Sequence, residues 1–218
     1  MIQTLYPPFR KWTEKGTLWI YSDPHFSDPE MKELRTNYIG DEEQIGRINS
    51  KVGRHDTIIF LGDIGNEEMV RKIRGYKILI MGNHDKGVTN YTDIFDEVYE
   101  GPLFIAEKLI LSHEPINLPF AFNIHGHDHS QHFSEDDHHL NVCAEHINYT
   151  PVNMNKLLKH GLMSEVESIH RMTIDRATEK KQARLDREHK KNLLRECMQA
   201  ATYALINETR REKLDSKG

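Results

Sequence analysis

Five short pieces of this chain carry residues that bind metals and move protons: Asp23-Pro24-His25, Gly62-Asp63, Gly82-Asn83-His84-Asp85, His113 and Gly126-His127-Asp128-His129. Within them Asp23, His25, Asp63, Asn83, His113, His127 and His129 supply seven oxygen and nitrogen ligand candidates, enough for two divalent cations held close together. Two such ions acidify a water and stabilise charge on the oxygens of phosphorus, so the chemistry indicated is hydrolysis of a phosphate ester. Carboxylate, imidazole and one amide oxygen suit manganese, iron, zinc, cobalt or nickel. An all-oxygen calcium or magnesium site does not use so many histidines.

Spacing adds a constraint. Asp23 and His25 are two apart, as are His127 and His129, and in extended backbone such pairs point the same way. Gly62, Gly82 and Gly126 let the chain turn tightly beside the metals with no Cβ in the way. Each piece alone has a simpler reading: Asp-x-His and Gly-Asp as turns, Asn83 as a helix cap, His113 as a satisfied core histidine. Their joint order and placement favour a dinuclear site.

The placement comes from the elements in front of them. The apolar run Thr17 to Tyr21 (TLWIY) ends in Ser22-Asp23, Thr57 to Leu61 (TIIFL) in Gly62-Asp63, and Tyr76 to Met81 (YKILIM) in Gly82-Asn83-His84-Asp85. Lys108 to Leu111 (KLIL) ends in Ser112-His113, and Phe122 to Ile124 ends just before His125 and the GHDH segment. Asp41 to Val52 has Ile45, Ile48 and Val52 at helical spacing and acids at its start, and Glu67 to Ile73 can form a short helix. This βαβαβ order predicts neighbouring parallel strands, whose carboxyl ends converge on one crevice. Leu103 to Ala106 and Lys108 to Leu111 predict a hairpin turning near Glu107, and Leu140 to Cys143 a further strand. The expectation is a layered α/β fold of two packed sheets.

Beyond residue 154 the pattern is helical. Asn155 to His160 is a short segment closed by Gly161, and a longer run extends from Ser164 to about Lys213. Arg176 to Asn192 is almost wholly polar, so it is solvated helix or a linker. Leu193, Leu194, Cys197, Met198, Ala201, Leu205 and Ile206 form an apolar face at helical spacing. That face packs within the chain as a helical hairpin, or against a second copy in a homodimer.

Composition bounds the rest. With 218 residues, 37% hydrophobic, the chain suits one main domain and a modest appendage. A formal net charge of −5 gives no polyanion footprint, although bound cations locally offset carboxylates and leave a phosphorylated substrate open. Cys143 and Cys197 make no disulfide framework and read as reduced and buried. No signal peptide and no apolar stretch of membrane-spanning length is evident, so the expectation is a soluble, cytoplasmic protein with no membrane partner.

The five pieces resemble the signature of the calcineurin-like metallophosphoesterases, D-x-H, G-D, G-N-H-[D/E], H and G-H-x-H, with every element in order from Asp23 to His129. The resemblance implies a four-layer α/β/β/α sandwich of two mixed sheets in residues 1–154, with 155–218 as a C-terminal helical extension. It implies that Asp23, His25 and His129 hold one ion, that Asn83, His113 and His127 hold the other, and that Asp63 bridges them, with manganese the first expectation. It makes His84 a catalytic group that contacts the scissile phosphate or protonates the leaving group, oriented by Asp85.

The substrate expected is a small phosphodiester or nucleotide-type ester, in the manner of the small bacterial and phage members. The phosphoprotein phosphatases of the family carry G-D-x-x-D-R-G, whereas Gly62-Asp63 is followed by Ile64-Gly65-Asn66-Glu67-Glu68, without the phosphate-clamping arginine. A DNA nuclease is the enzymatic alternative, not favoured, because the basic cluster Lys180 to Lys191 is diluted by acids and lacks interleaved aromatics. A non-catalytic scaffold with the same fold is the remaining alternative, and the intact ligand set speaks against it. Arg71 and Arg74 read as solvated surface before substrate contacts. Phe26, Asn117 and Phe120 are candidates for a leaving-group wall, His125 for support of the metals, and His132, His138 and His139 fall in a stretch expected to be a surface loop or hairpin.

Overall fold

The computed structural model describes residues 3–4, 6–14, 16–130, 136–164, 166, 179, 181–189 and 191–192. The chain divides into two compact units, Met1–Ser168 and Ile169–Gly218.

In the first unit β1 (Gln3–Thr4) and α1 (Tyr6–Glu14) precede β2 (Leu18–Tyr21), α2 (Met31–Leu34), α3 (Asp41–Lys51) and β3 (Thr57–Phe60). A 3-10 turn at Glu67–Lys72 leads to β4 (Tyr76–Ile80), and a second at Val88–Asn90 to β5 (Glu97–Tyr99). Then come β6 (Leu103–Ala106), β7 (Leu109–Leu111), β8 (Phe122–His125), β9 (His139–Asn141), β10 (Val152–Asn153) and α4 (Met154–Lys159).

The strands form two five-stranded sheets, in the orders β10-β2-β3-β4-β5 and β1-β6-β7-β8-β9. β2 through β5 are mutually parallel and β10 runs antiparallel to β2. In the other sheet β6 and β7 make the antiparallel hairpin expected from the sequence, while β7, β8 and β9 are parallel. Both sheets are therefore mixed, and helices flank them in the four-layer α/β/β/α arrangement.

Period-two alternation explains why the central strands are apolar throughout. On β3 and the residue after it, Ile59 and Leu61 join Leu18, Ile20, Ile78 and Ile80 against Leu103, Leu109, Leu111 and Ile124 of the second sheet. Ile58 and Phe60 point to the other face and pack with Ile45, Ile48 and Val52 at α3. α3 carries Asp41, Glu42 and Glu43 in its first turn, where the helix dipole favours acids. α4 is tied to the first sheet: the amide of Leu18 donates to Asn155 Oδ1 at 2.7 Å, and Met154 is buried in the inter-sheet core.

The stretch containing His138 and His139 departs from the loop or hairpin expected. His139–Asn141 is a strand parallel to β8, with His139 buried. Its ring sits between the Asp136 carboxylate (2.7 Å) and the Ile116 carbonyl (3.1 Å), and these partners make burial of a polar side chain tolerable. His132 lies outside the described residues.

In the second unit residues 181–189 and 191–192 are helical and exposed, in keeping with their polar composition. The apolar face from Leu193 to Ile206, with Cys197, lies outside the described residues. Among the described residues no helix is long and apolar enough to cross a membrane.

Candidate metal centre

Both sheets deliver side chains to one edge. From the first sheet, Asp23 and His25 follow β2, Asp63 follows β3, and Asn83, His84 and Asp85 follow β4. From the second, His113 follows β7, and His127 and His129 follow β8. A parallel bridge from Ser22 to Cys143 joins the sheets at this edge, with Ser22 N donating to Val142 O at 3.1 Å and Ala144 N to Ser22 O at 3.0 Å.

Two triads result, Asp23–His25–His129 and Asp63–His113–His127, each with its ligand atoms within 4.8 Å of one another. Asp23 is fully buried, and His25, Asp63 and His113 nearly so. Asp23, His25, Asp63 and His127 all have positive φ, from 45° to 64°. Non-glycine residues rarely adopt that backbone, and such strain gathers at functional sites. The close approach expected at Gly126 is present: a Cβ there would overlap Ser22 Oγ and Asp23 Oδ2.

The polar atoms converge without satisfying one another. Asp23 Oδ1 and His25 Nε2 are buried and have no hydrogen-bond partner. His25 Nε2 stands 3.9 Å from Asp23 Oδ1, and His129 Nε2 stands 3.7 Å from the same oxygen. Asp63 Oδ2 is 3.5 Å from His25 Nε2 and equally 3.5 Å from His113 Nε2. Those gaps are long for hydrogen bonds, but two ligands at about 2.1 Å from a shared ion stand roughly 3–3.5 Å apart. A carboxylate oxygen of Asp63 thus stands equally far from a histidine nitrogen of each triad.

The second triad makes the same point through its tautomers. His113 Nδ1 lies 2.7 Å from Leu61 O, so that nitrogen carries the proton and donates it to the carbonyl. Its Nε2 is then a lone pair, facing Asn83 Oδ1 at 2.8 Å and His127 Nδ1 at 3.1 Å. The lone pairs of His113 Nε2 and Asn83 Oδ1 are brought together at 2.8 Å, an arrangement that a shared cation satisfies. The donor set fits a pair of divalent metal ions, and Asn83 Oδ1 lies beside the second triad.

Burial pushes the His25 pKa down, which keeps the ring neutral, the form that binds metal. His129 moves the other way, raised by its hydrogen bond to Glu145. Burial pushes Glu145 up, but the bond to His129 and the charge of Arg35 outweigh it and hold the carboxyl below its usual range.

His84 and Asp85 separate in their roles. His84 is exposed, its ring centroid 5.9 Å from that of His25, and its amide donates to Asp63 Oδ1 at 3.0 Å. Asp85 was expected to orient that ring; its carboxylate is engaged elsewhere. Oδ2 accepts from the amides of Asp63 (3.0 Å) and Gly82 (2.8 Å), and Oδ1 from the amide of Ile64 (3.0 Å) and the Tyr91 hydroxyl (3.1 Å). Four donors fill the four acceptor positions of a carboxylate. Asp85 thus clamps the loop after β3 to the loop after β4, and acts on His84 through the backbone.

Four residues here were not singled out from sequence. Ser22 Oγ and the Cys143 thiol (3.3 Å) both donate to Asp23 Oδ2. Glu145 bonds His129 Nδ1, and Arg35 lies 3.3 Å from Glu145 while donating to the Asp23 carbonyl at 2.9 Å. His129, Glu145 and Arg35 line a cleft of about 610 Å³ with Met31, Leu34 and Asn37. Phe26, in contrast, is a core residue at 1% exposure rather than a wall of the site. Arg71 is engaged by Glu68 and Asp93 on the surface. His125 is buried beneath the edge, its Nδ1 2.8 Å from Gly126 O.

Fold and triads are consistent with the calcineurin-like phosphoesterase superfamily. No protein-family model matches the chain. It is 26% identical over 166 residues to the uncharacterized protein MJ1445 of Methanocaldococcus jannaschii, covering 65% of this chain and 89% of that one. It is similar to the crystal structure of AQ665, a protein of unknown function from Aquifex aeolicus, at 25% identity and a TM-score of 0.54, covering 66% of this chain and 98% of that one. A more distant likeness, at 22% identity and a TM-score of 0.39, covers 51% of this chain and 61% of the Pseudomonas putida nuclease MPE.

Proposed function

We propose that the chain hydrolyses phosphate esters, small phosphodiesters or nucleotide-type esters, with two divalent ions of which manganese is the first choice. Asp23, His25 and His129 hold one ion, Asn83, His113 and His127 the other, and Asp63 bridges them. The observation that carries this reading is the position of Asp63 Oδ2, 3.5 Å from a histidine nitrogen of each triad. When bound, the ions supply an activated water and neutralise charge on the phosphorus oxygens.

The chain's own contribution is placement and proton transfer. Main-chain donors at His84 and His127 fix one oxygen each of Asp63 and Asp23, and so aim the other oxygen into the site. His84, exposed beside His25, hands a proton to the departing oxygen. Asp85 keeps the two loops in register while this happens. No serine or cysteine nucleophile is needed; Cys143, the cysteine near the site among the described residues, is buried and burial pushes its thiol pKa far up. A free thiol of this kind suits a reducing, cytoplasmic compartment.

The C-terminal region is accessory in this reading, supplying no metal ligand, with homodimer formation through its apolar face open to sedimentation across a concentration series. The deciding experiment measures metal content together with turnover of phosphomonoesters, bis-p-nitrophenyl phosphate, cyclic nucleotides and single-stranded DNA in the presence of manganese. Two bound ions with preferential cleavage of the small diesters is the expected result. Preferential cleavage of DNA makes the protein a nuclease, and two bound ions with no turnover of any ester makes it a binding module.

A further inference from the structure

The two triads differ in how their histidine nitrogens are aimed. In the second, His113 is held by a main-chain carbonyl, that of Leu61, and is as fixed as the strand carrying it. In the first, His129 stands on the loop after β8 with 42% of its side chain exposed. An imidazole so placed loses rotamer freedom when it binds an ion, unless something orders it beforehand.

That ordering contact is Glu145. Its Oε1 accepts from His129 Nδ1, so the proton sits on Nδ1 and the lone pair of Nε2 is turned towards Asp23 Oδ1, 3.7 Å away. Glu145 is itself immobilised. Its side chain is 9% exposed, Arg35 Nε lies 3.3 Å from Oε2, and Asn37 Nδ2 donates to its main-chain carbonyl at 3.0 Å. Arg35, with 3% of its side chain exposed, closes the circuit by donating from Nη2 to the carbonyl of Asp23 at 2.9 Å. One ligand is thereby tied through two side chains to the backbone of another ligand of the same triad.

We propose that Glu145 is a positioning residue for the first metal site, selecting the tautomer and direction of His129, with Arg35 anchoring it to Asp23. The inference rests on the dinuclear reading above. A carboxylate hydrogen-bonded to a ligating imidazole fixes its orientation and strengthens it as a donor, and removing such a partner costs about 10- to 100-fold in metal affinity. The effect should fall mainly on the first site, because Glu145 and Arg35 contact His129 and Asp23, and the circuit meets the second triad through the amide of His127 on Asp23 Oδ2.

The test uses the full chain, wild type beside Glu145→Gln and Glu145→Ala, with Mn²⁺ as the probe in competition with a chelator. Absorption spectra of the Co²⁺-loaded forms report ligand geometry. Glu145→Ala should weaken one of two ions by about 10- to 100-fold and leave the other unchanged. Glu145→Gln, which keeps an acceptor oxygen but no charge, should fall between, with the Co²⁺ spectrum altered for one site. Metal-free thermal melting of Glu145→Gln should match wild type, which separates positioning from propping up the fold. Wild-type affinity at both sites in both variants overturns the proposal, as does equal weakening of the two sites. Wild-type protein that binds no Mn²⁺ overturns the dinuclear reading itself, an outcome that these variants do not mimic.

Discussion

The Asp23–His25–His129 triad and the Asp63–His113–His127 triad use similar ligands but are supported by different means. The second is held by main chain: Leu61 O on His113, and the amide of His84 on Asp63. The first leans mostly on side chains: Ser22 and Cys143 share Asp23 Oδ2 with the amide of His127, and Glu145 holds His129. A ligand fixed by a strand's carbonyl inherits the rigidity of the sheet. One fixed by a side chain depends on a residue that can be replaced, and it faces the cleft where substrate has room to enter. The first site is therefore the one where metal affinity and access can be adjusted with little change to the fold.

The largest effect is expected from Asp63→Ala, because Asp63 Oδ2 lies 3.5 Å from a histidine nitrogen of each triad. Both ions should leave, and turnover of bis-p-nitrophenyl phosphate should fall beyond the roughly 10²–10³-fold that loss of one electrostatic stabiliser costs. Two tightly retained ions by metal analysis contradict the bridge. Next in size is His84→Ala, which should spare both sites. Metal content should stay at the wild-type value while turnover drops by about 10²–10⁴-fold, most for alkyl esters with poor leaving groups. An equal loss for p-nitrophenyl and alkyl esters removes the proton-donor role, and loss of an ion makes His84 a ligand.

Gly126→Ala tests the one place where the two supports meet. An added Cβ overlaps Ser22 Oγ and Asp23 Oδ2, and the neighbouring amide, that of His127, donates to the same Asp23 oxygen at 2.9 Å. Overpacking of this kind costs about 1–3 kcal/mol. Thermal melting should show that loss, and both ions should bind more weakly. Weakening of the first ion alone would show that His127 is positioned independently of Asp23.

The parts of this site that are legible in sequence are those where local pattern and position coincide. Asp23, Asp63, Asn83, His113 and His127 each follow a run such as TIIFL or YKILIM, and a parallel sheet brings such ends together. Glu145 and Arg35 leave no such trace, since their pairing spans the sheet edge between residues with no shared periodicity. The same holds for the elements that were missed. β5 is three half-buried residues, Glu97 to Tyr99, at a sheet edge, too short and too polar to alternate visibly. β9, His-Leu-Asn, overlaps the strand expected at Leu140 to Cys143, but its start at His139 was not legible, because burial of that ring depends on Asp136 and Ile116 reaching it, a tertiary circumstance. α1 begins at Tyr6 and takes Pro7 and Pro8 into its first turn, where proline is tolerated but reads as a breaker.

The smallest expected effect on the metals comes from the opposite edge of the first sheet, and it serves as the control for the comparison. Asp56 precedes β3 and accepts from the amides of Thr17 (2.7 Å) and Gly53 (2.8 Å) and from Trp19 Nε1 (3.1 Å). Burial pushes its pKa up, but these donors outweigh it and hold the carboxyl below its ordinary value of 3.8. A carboxylate whose folded pKa is depressed contributes stability above its unfolded pKa, and that contribution is lost as pH falls through the folded value. Asp56→Ala should therefore cost about 2 kcal/mol in urea unfolding at neutral pH, with three donors left short of an acceptor. The gap between variant and wild type should narrow below about pH 4 as the wild-type carboxylate takes up its proton. Because Asp56 lies at the amino ends of the strands and the triads at the carboxyl ends, both ions should bind with wild-type affinity in this variant. A selective loss at the first site would mean that its side-chain supports respond to strain transmitted along the sheet. In that case the difference between the triads would be a property of the whole sheet rather than of Glu145 and its neighbours.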